Sequence, residues 1–138
     1  MKLLIIIGLF VLILLVASLL ERRRLRRIAA ERKEESICTF ARALDYRNLD
    51  TGIIRMVYEE LQDYLGTSVP LRPGDALQED LHIDREDLGD MAIELLKRCR
   101  RGFDDVPSNP FAQVRTVGDL IRFLHAQPST TTQRGACT

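Results

Sequence analysis

From Leu3 to Leu20 the chain carries no charged residue, and Glu21 is followed at once by Arg22, Arg23, Arg24, Arg26 and Arg27. As a helix rising 1.5 Å per residue this run reaches about 27 Å, close to the roughly 30 Å of bilayer hydrocarbon. Nothing else in 138 residues is large enough to cover such a helix on all sides, so the run does not read as a buried core helix. A cleaved signal peptide needs an apolar core of about 7–15 residues and a small-x-small site after it. Here the core is longer, and Val16-Ala17-Ser18-Leu19-Leu20 offers no clean site before the arginines. The run therefore reads as a retained single-pass anchor, residues 1–20. Only Lys2 and the amino terminus precede it, so the positive-inside bias predicts an N-terminus outside and a C-terminal domain in the cytoplasm. The collar Arg22, Arg23, Arg24, Arg26 and Arg27 is expected to meet anionic headgroups. Gly8 has no glycine four positions away, so no GxxxG face is signalled and oligomerisation is unsupported.

The formal neutrality of the whole chain hides two opposed regions. Residues 21–35 carry 7 Lys and Arg against 4 Asp and Glu, whereas residues 37–128 carry 11 against 16. An acidic body beyond a basic collar argues against nucleic acid as a partner, because binding its phosphates calls for a basic surface. Cys38, Cys99 and Cys137 are widely spaced and form no CxxC, which fits a reducing compartment rather than a disulfide framework.

Residues 21–49 lack glycine and proline and are rich in Arg, Glu, Ala and Leu. High helix propensity without a clean apolar stripe predicts a charged helical stalk that continues the anchor, with Ile37, Phe40, Ala41 and Leu44 marking where it meets a partner surface. Residues 50–126 read as a helical bundle. Asp50 or Thr51 caps a helix with Ile53, Ile54, Val57 and Leu61 inward and Gly66 as its stop. A loop with Pro70, Pro73 and Gly74 follows, anchored by Val69 and Leu71. Leu77, Leu81 and Ile83 then lead to Asp84, which caps a helix starting at Arg85. Its apolar face is Leu88, Met91, Ala92 and Leu95, with Leu96 at the edge. Glu86 and Asp87 at one end and Lys97, Arg98, Arg100 and Arg101 at the other suit the helix dipole. Gly102 is expected to end this helix and Phe103 to fold into the core. Thr116-Val117-Gly118-Asp119 is a capping-box variant opening a last helix with Val117, Leu120, Ile121 and Leu124 inward. The polar segment 127–138 is expected to be disordered.

This order, with Glu79-Asp80-Leu81-His82-Ile83-Asp84 on one side of the second bundle helix and Thr116-Val117-Gly118-Asp119-Leu120-Ile121 on the other, resembles the four-helix acyl carrier protein fold over about residues 50–126. The expected fold class is thus all-α: one transmembrane helix, a stalk, and an acyl-carrier-like four-helix bundle. In that family the aspartate at the mouth of the second helix precedes a serine that holds phosphopantetheine. Arg85 occupies the serine position here and has no hydroxyl to esterify, so the resemblance implies no cofactor. It is closest to a branch of small bacterial acyl-carrier-like proteins that replace the serine motif with an acidic segment, from which no activity carries over. In carriers the acidic edge of the second helix docks basic patches on partner proteins, and Asp84, Glu86, Asp87 and Asp90 are the matching positions.

No nucleophile, base and orienting group are spaced as a catalytic set, so the chain is read as non-enzymatic. His82 with Asp84 and Asp87 is a weak metal pattern, and no metal is expected. Two functions remain: an interaction module whose acidic edge meets a cytoplasmic protein, or an atypical carrier or non-covalent acyl- or lipid-binding protein.

Overall fold

The computed structural model describes residues 1–66, 69–103 and 110–130. Among these the chain forms five α-helices, α1 (Lys2–Glu31), α2 (Ile37–Ala43), α3 (Thr51–Leu65), α4 (Arg85–Arg98) and α5 (Val117–Ala126), with short 3-10 turns at Tyr46–Asn48 and Phe111–Gln113. Strand pairing among the described residues is limited to two isolated bridges, Ala76 with Thr116 and Arg101 with Ser129.

The helix α1 is long and apolar enough to cross a membrane, and none of its apolar stretch is covered by the rest of the protein. Its second half behaves differently. Leu25 is buried, and Arg24, Ile28, Ala29 and Arg32 are half-buried, whereas Arg22, Arg23, Arg26 and Arg27 are exposed. Spacings of three and four residues put the first set on one helical face. That face is docked on the domain, so the charged segment does not stand free as a spacer. Nor does the helix run on toward Leu44. Beyond Arg32 the backbone leaves helical geometry, and Ser36 and Thr39 form a reciprocal capping box that starts α2 afresh.

The break frees the Arg32 side chain to reach Asp75, with Nη1 and Nη2 at 2.7 and 2.8 Å from the two carboxylate oxygens. Nη1 also donates to the Pro70 carbonyl at 3.0 Å. Asp75 is 4 % exposed, and its carboxylate further accepts the Arg72 amide at 2.8 Å. Beside it, Arg72 pairs with Glu35. The guanidinium hydrogen-bonded to Glu35 holds that carboxyl below its ordinary pKa.

One core joins α2 to α5. Phe40 and Leu44 of α2 meet Ile53, Ile54, Val57 and Leu61 of α3, then Leu88, Met91, Leu95 and Leu96 of α4 and Leu120, Ile121, Phe123 and Leu124 of α5. The Phe40 and Tyr58 rings meet edge to face with centroids 5.1 Å apart. The loop before α4 belongs to the same core through Leu71, Leu77, Leu81 and Ile83. It is also bonded to the start of α5: Val117 N–H donates to Asp75 O at 3.1 Å, Gly118 N–H to Pro73 O at 2.8 Å, and Leu77 N–H to Arg115 O at 2.9 Å. The first amides of a helix have no partner within it, and here loop carbonyls satisfy two of them.

Helix ends follow the expected chemistry in part. Asp50, Asp84 and Thr116 cap α3, α4 and α5 through their side chains, and Gly66 ends α3 at φ 62°. The end of α4 departs from expectation. Arg100, at φ 55°, takes the left-handed position that Gly102 was expected to provide nearby. Arg100 N–H donates to Lys97 O and Arg101 N–H to Leu96 O, a Schellman pairing. Gly102 is instead drawn past the helix end, its amide donating to Pro128 O at 2.8 Å.

Two further expectations change. Phe103 stays 54 % exposed, touching Phe111 and Phe123 from outside with centroids 6.5 and 5.9 Å away, because Phe123 already fills the core there. Residues 127–130 are fixed rather than loose: Gln127 is buried, Arg101 donates to the His125 and Gln127 carbonyls, and Thr130 N–H donates to Arg100 O at 2.9 Å. The rest of the expected tail, 131–138 with Cys137, lies outside the described residues, as do 104–109.

Candidate functional site

The mouth of α4 is assembled by the loop that precedes it. Asp80 closes a turn by accepting the Ala76 amide at 2.9 Å, while the Asp80 and Leu81 amides return to Ala76 O. His82 sits at φ 54° with its side chain exposed, and this single left-handed residue lets Leu81 and Ile83 both point into the core. Asp84 follows. One of its carboxylate oxygens accepts the Glu86 and Asp87 amides at 3.0 and 2.9 Å.

The acidic edge divides into two pairs. Asp84 is occupied as the cap, and Asp87 accepts the Tyr64 hydroxyl at 2.5 Å, tying α3 to α4. That hydrogen bond, with some burial, pushes the Tyr64 phenol up to about 12. Glu86 and Asp90 are exposed, and among the described residues their side chains make no hydrogen bond or ion pair. Ile93, 45 % exposed, lies one turn further along.

Arg85, the residue after the cap, is held by both of its terminal nitrogens. Its Nη1 donates to Val114 O at 2.9 Å and its Nη2 to Phe111 O at 2.7 Å, and the guanidinium lies 4.9 Å from the Phe111 ring centroid. Cation, ring and carbonyls together clamp the 3-10 turn Phe111–Gln113 to the first turn of α4. Next to this clamp is a cleft of about 250 Å³ bordered by Leu77, Ile83, Leu88 and Val114 with Gln78, Glu79, Arg85 and Arg115.

The collar is also divided. Arg22, Arg23, Arg26 and Arg27 face away from the domain, whereas Arg24 turns inward and its Nη2 donates to Glu79 O at 3.2 Å. No group of three or more His, Cys, Asp or Glu among the described residues is arranged to hold a metal ion. His82 is exposed and stands apart from both carboxylate pairs' hydrogen bonds.

Sequence reasoning missed the Arg32–Asp75 pair. Asp75 follows Pro73-Gly74 and reads as an ordinary turn residue, and Arg32 reads as one charge among many. Only their meeting across 43 positions gives them a role.

Comparison with protein-family models finds no matching family, comparison with curated proteins no matching chain, and comparison with solved structures no matching fold.

Proposed function

We propose that this chain is a membrane-anchored, non-enzymatic, acyl-carrier-like interaction module, with its domain on the cytoplasmic face of the bacterial inner membrane, and that the acidic edge of α4 docks a basic surface of a cytoplasmic protein. The observation that carries this reading is the pair Glu86 and Asp90: two exposed carboxylates one turn apart, unpaired among the described residues, beside the exposed Ile93. Stabilising a helix start requires only Asp84 and first-turn acidity, and Asp90 lies beyond that turn. An exposed apolar side chain beside unpaired charge suits a partner that covers the first and neutralises the second. The uncovered apolar stretch of α1 supports the anchor, since lipid is the solvent in which such a surface is stable.

The test is a crosslinking pull-down from native membranes, comparing the natural chain with Glu86→Lys/Asp90→Lys. Among the described residues neither side chain is bonded within the domain, and Glu86 contributes only a first-turn interaction with the helix dipole, so the thermal midpoint should fall by no more than about 8 °C while capture of the partner falls about tenfold or more. Unchanged capture would rule out this edge as the docking surface.

A further inference from the structure

We infer that the cleft beside the mouth of α4 takes the phosphate headgroup of an anionic membrane lipid, with Arg85 and Arg115 as its cations. The inference rests on the reading that α1 is embedded in a bilayer, and it assigns to the domain a second contact with that bilayer, distinct from the exposed collar.

Position comes first. Glu79 borders the cleft, and its carbonyl is held by Arg24 of α1. Arg24 lies only four residues beyond Leu20, about 6 Å along a helix axis, so the cleft stands at the level of the headgroups rather than out in solution. The docked face of α1 keeps it there, through buried Leu25 and the Arg32–Asp75 pair.

Chemistry comes second. A guanidinium has five N–H donors in a planar fork suited to phosphate. Arg85 commits one each from Nη1 and Nη2 to the Val114 and Phe111 carbonyls, which fixes the group in place and leaves donors unspent. Among the described residues the Arg115 side chain makes no hydrogen bond or ion pair. One carboxylate, Glu79, opposes these two cations, so the cleft carries an excess of positive charge in a domain that is otherwise acidic. Arg24, outside the lining itself, adds a further positive charge beside Glu79. The apolar lining of Leu77, Ile83 and Val114 suits the glycerol end of a headgroup. Inorganic phosphate shares the anionic chemistry but has no glycerol end for the apolar lining to cover.

The full chain in neutral-detergent micelles is titrated with short-chain phosphatidylglycerol, and the NMR shifts of the Gln78, Glu79 and Arg115 amides give a dissociation constant. Arg115→Ala should weaken binding about tenfold, as expected for one charge-assisted contact, and Glu79→Gln should tighten it by about threefold. Neither side chain is bonded within the domain, so both variants should keep the natural chain's thermal midpoint. Equal constants for all three chains would overturn the proposal, because collar binding alone is indifferent to both substitutions. Saturation of the same amides by inorganic phosphate at equal concentration would overturn the lipid as the ligand. Flotation of the full chain with pure phosphatidylcholine vesicles reports the anchor separately. Failure to float refutes the anchoring and the lipid source together, whereas flotation with equal constants refutes the cleft alone.

Discussion

At Gly66 the backbone has φ 62° and, among the described residues, nothing lies within 4 Å of where a Cβ would stand, so conformation rather than space is the limit. Gly66→Ala should therefore cost about 1–2 kcal/mol from the left-handed geometry alone. His82 poses the opposite case, a residue with a Cβ held at φ 54° and an exposed side chain. His82→Gly relieves that strain against a smaller entropic loss and should raise stability by up to about 1 kcal/mol. Urea denaturation of both variants checks the two signs together. Tyr64 makes a pH prediction. Its folded pKa, about 12, stands above the ordinary phenol value of about 10. Stability from the Tyr64–Asp87 hydrogen bond is therefore fully present below pH about 10 and is lost as pH rises toward 12. Tyr64→Phe should remove that part of the alkaline decline, visible in melting temperatures measured across this window.

Among the elements, the loop from Val69 to Ile83 does more to arrange the bundle than its lack of regular structure suggests. It buries five apolar side chains, Val69, Leu71, Leu77, Leu81 and Ile83, closes the start of α5 with its carbonyls, and receives α1 through Asp75. Gly118 is where the loop and α5 come closest. A Cβ there would stand 3.0 Å from the Pro73 carbonyl oxygen, which is itself bonded to the Gly118 amide and so cannot turn aside. The gain of about 1 kcal/mol in helix propensity on Gly118→Ala is outweighed by a clash of about 1–3 kcal/mol. The variant should lose stability overall, and hydrogen exchange at the Val117 and Gly118 amides should quicken more than at the centre of α3. At α4, the capping and dipole logic visible in the sequence accounts for Asp84, Glu86 and Asp87. It leaves over Asp90, which with the exposed Glu86 forms the edge proposed for docking.

For the molecule as a whole, the junction between α1 and the bundle is part of the fold. A chain beginning at residue 21 keeps Leu25, Arg32 and Glu35, whereas one beginning at residue 37 leaves Asp75 without its guanidinium. Losing the two charge-assisted hydrogen bonds costs about 3 kcal/mol, since the deletion also admits water to the carboxylate, and exposing the site under Leu25 adds about 1.5 kcal/mol or more. Against a total of about 5–15 kcal/mol for such a domain, the shorter chain should be marginal or unfolded and the longer one cooperative. Denaturant midpoints of the two measure the difference. Equal midpoints would mean that α1 only rests on the domain.

Local chemistry determined much of this protein directly from its sequence. An uncharged run followed by arginines makes a helix that the domain cannot cover. Helical spacing of Ile53, Val57, Leu61 and of Leu88, Met91, Leu95 selects the buried faces, and caps at Asp50, Asp84 and Thr116 start the helices, because each depends on neighbours within a few positions. Tertiary structure alone decided the rest. Helix propensity favoured one unbroken stalk, but the Arg32–Asp75 pair and the Ser36 cap outweigh it. Arg100, not Gly102, takes the left-handed turn because Gly102 is needed against Pro128. Arg85 becomes a clamp only when the Val114 and Phe111 carbonyls arrive beside it. A charge in a sequence does not reveal its partner when that partner lies 26 to 43 residues away, and those distant meetings place the domain, its acidic edge and its cleft at the end of α1.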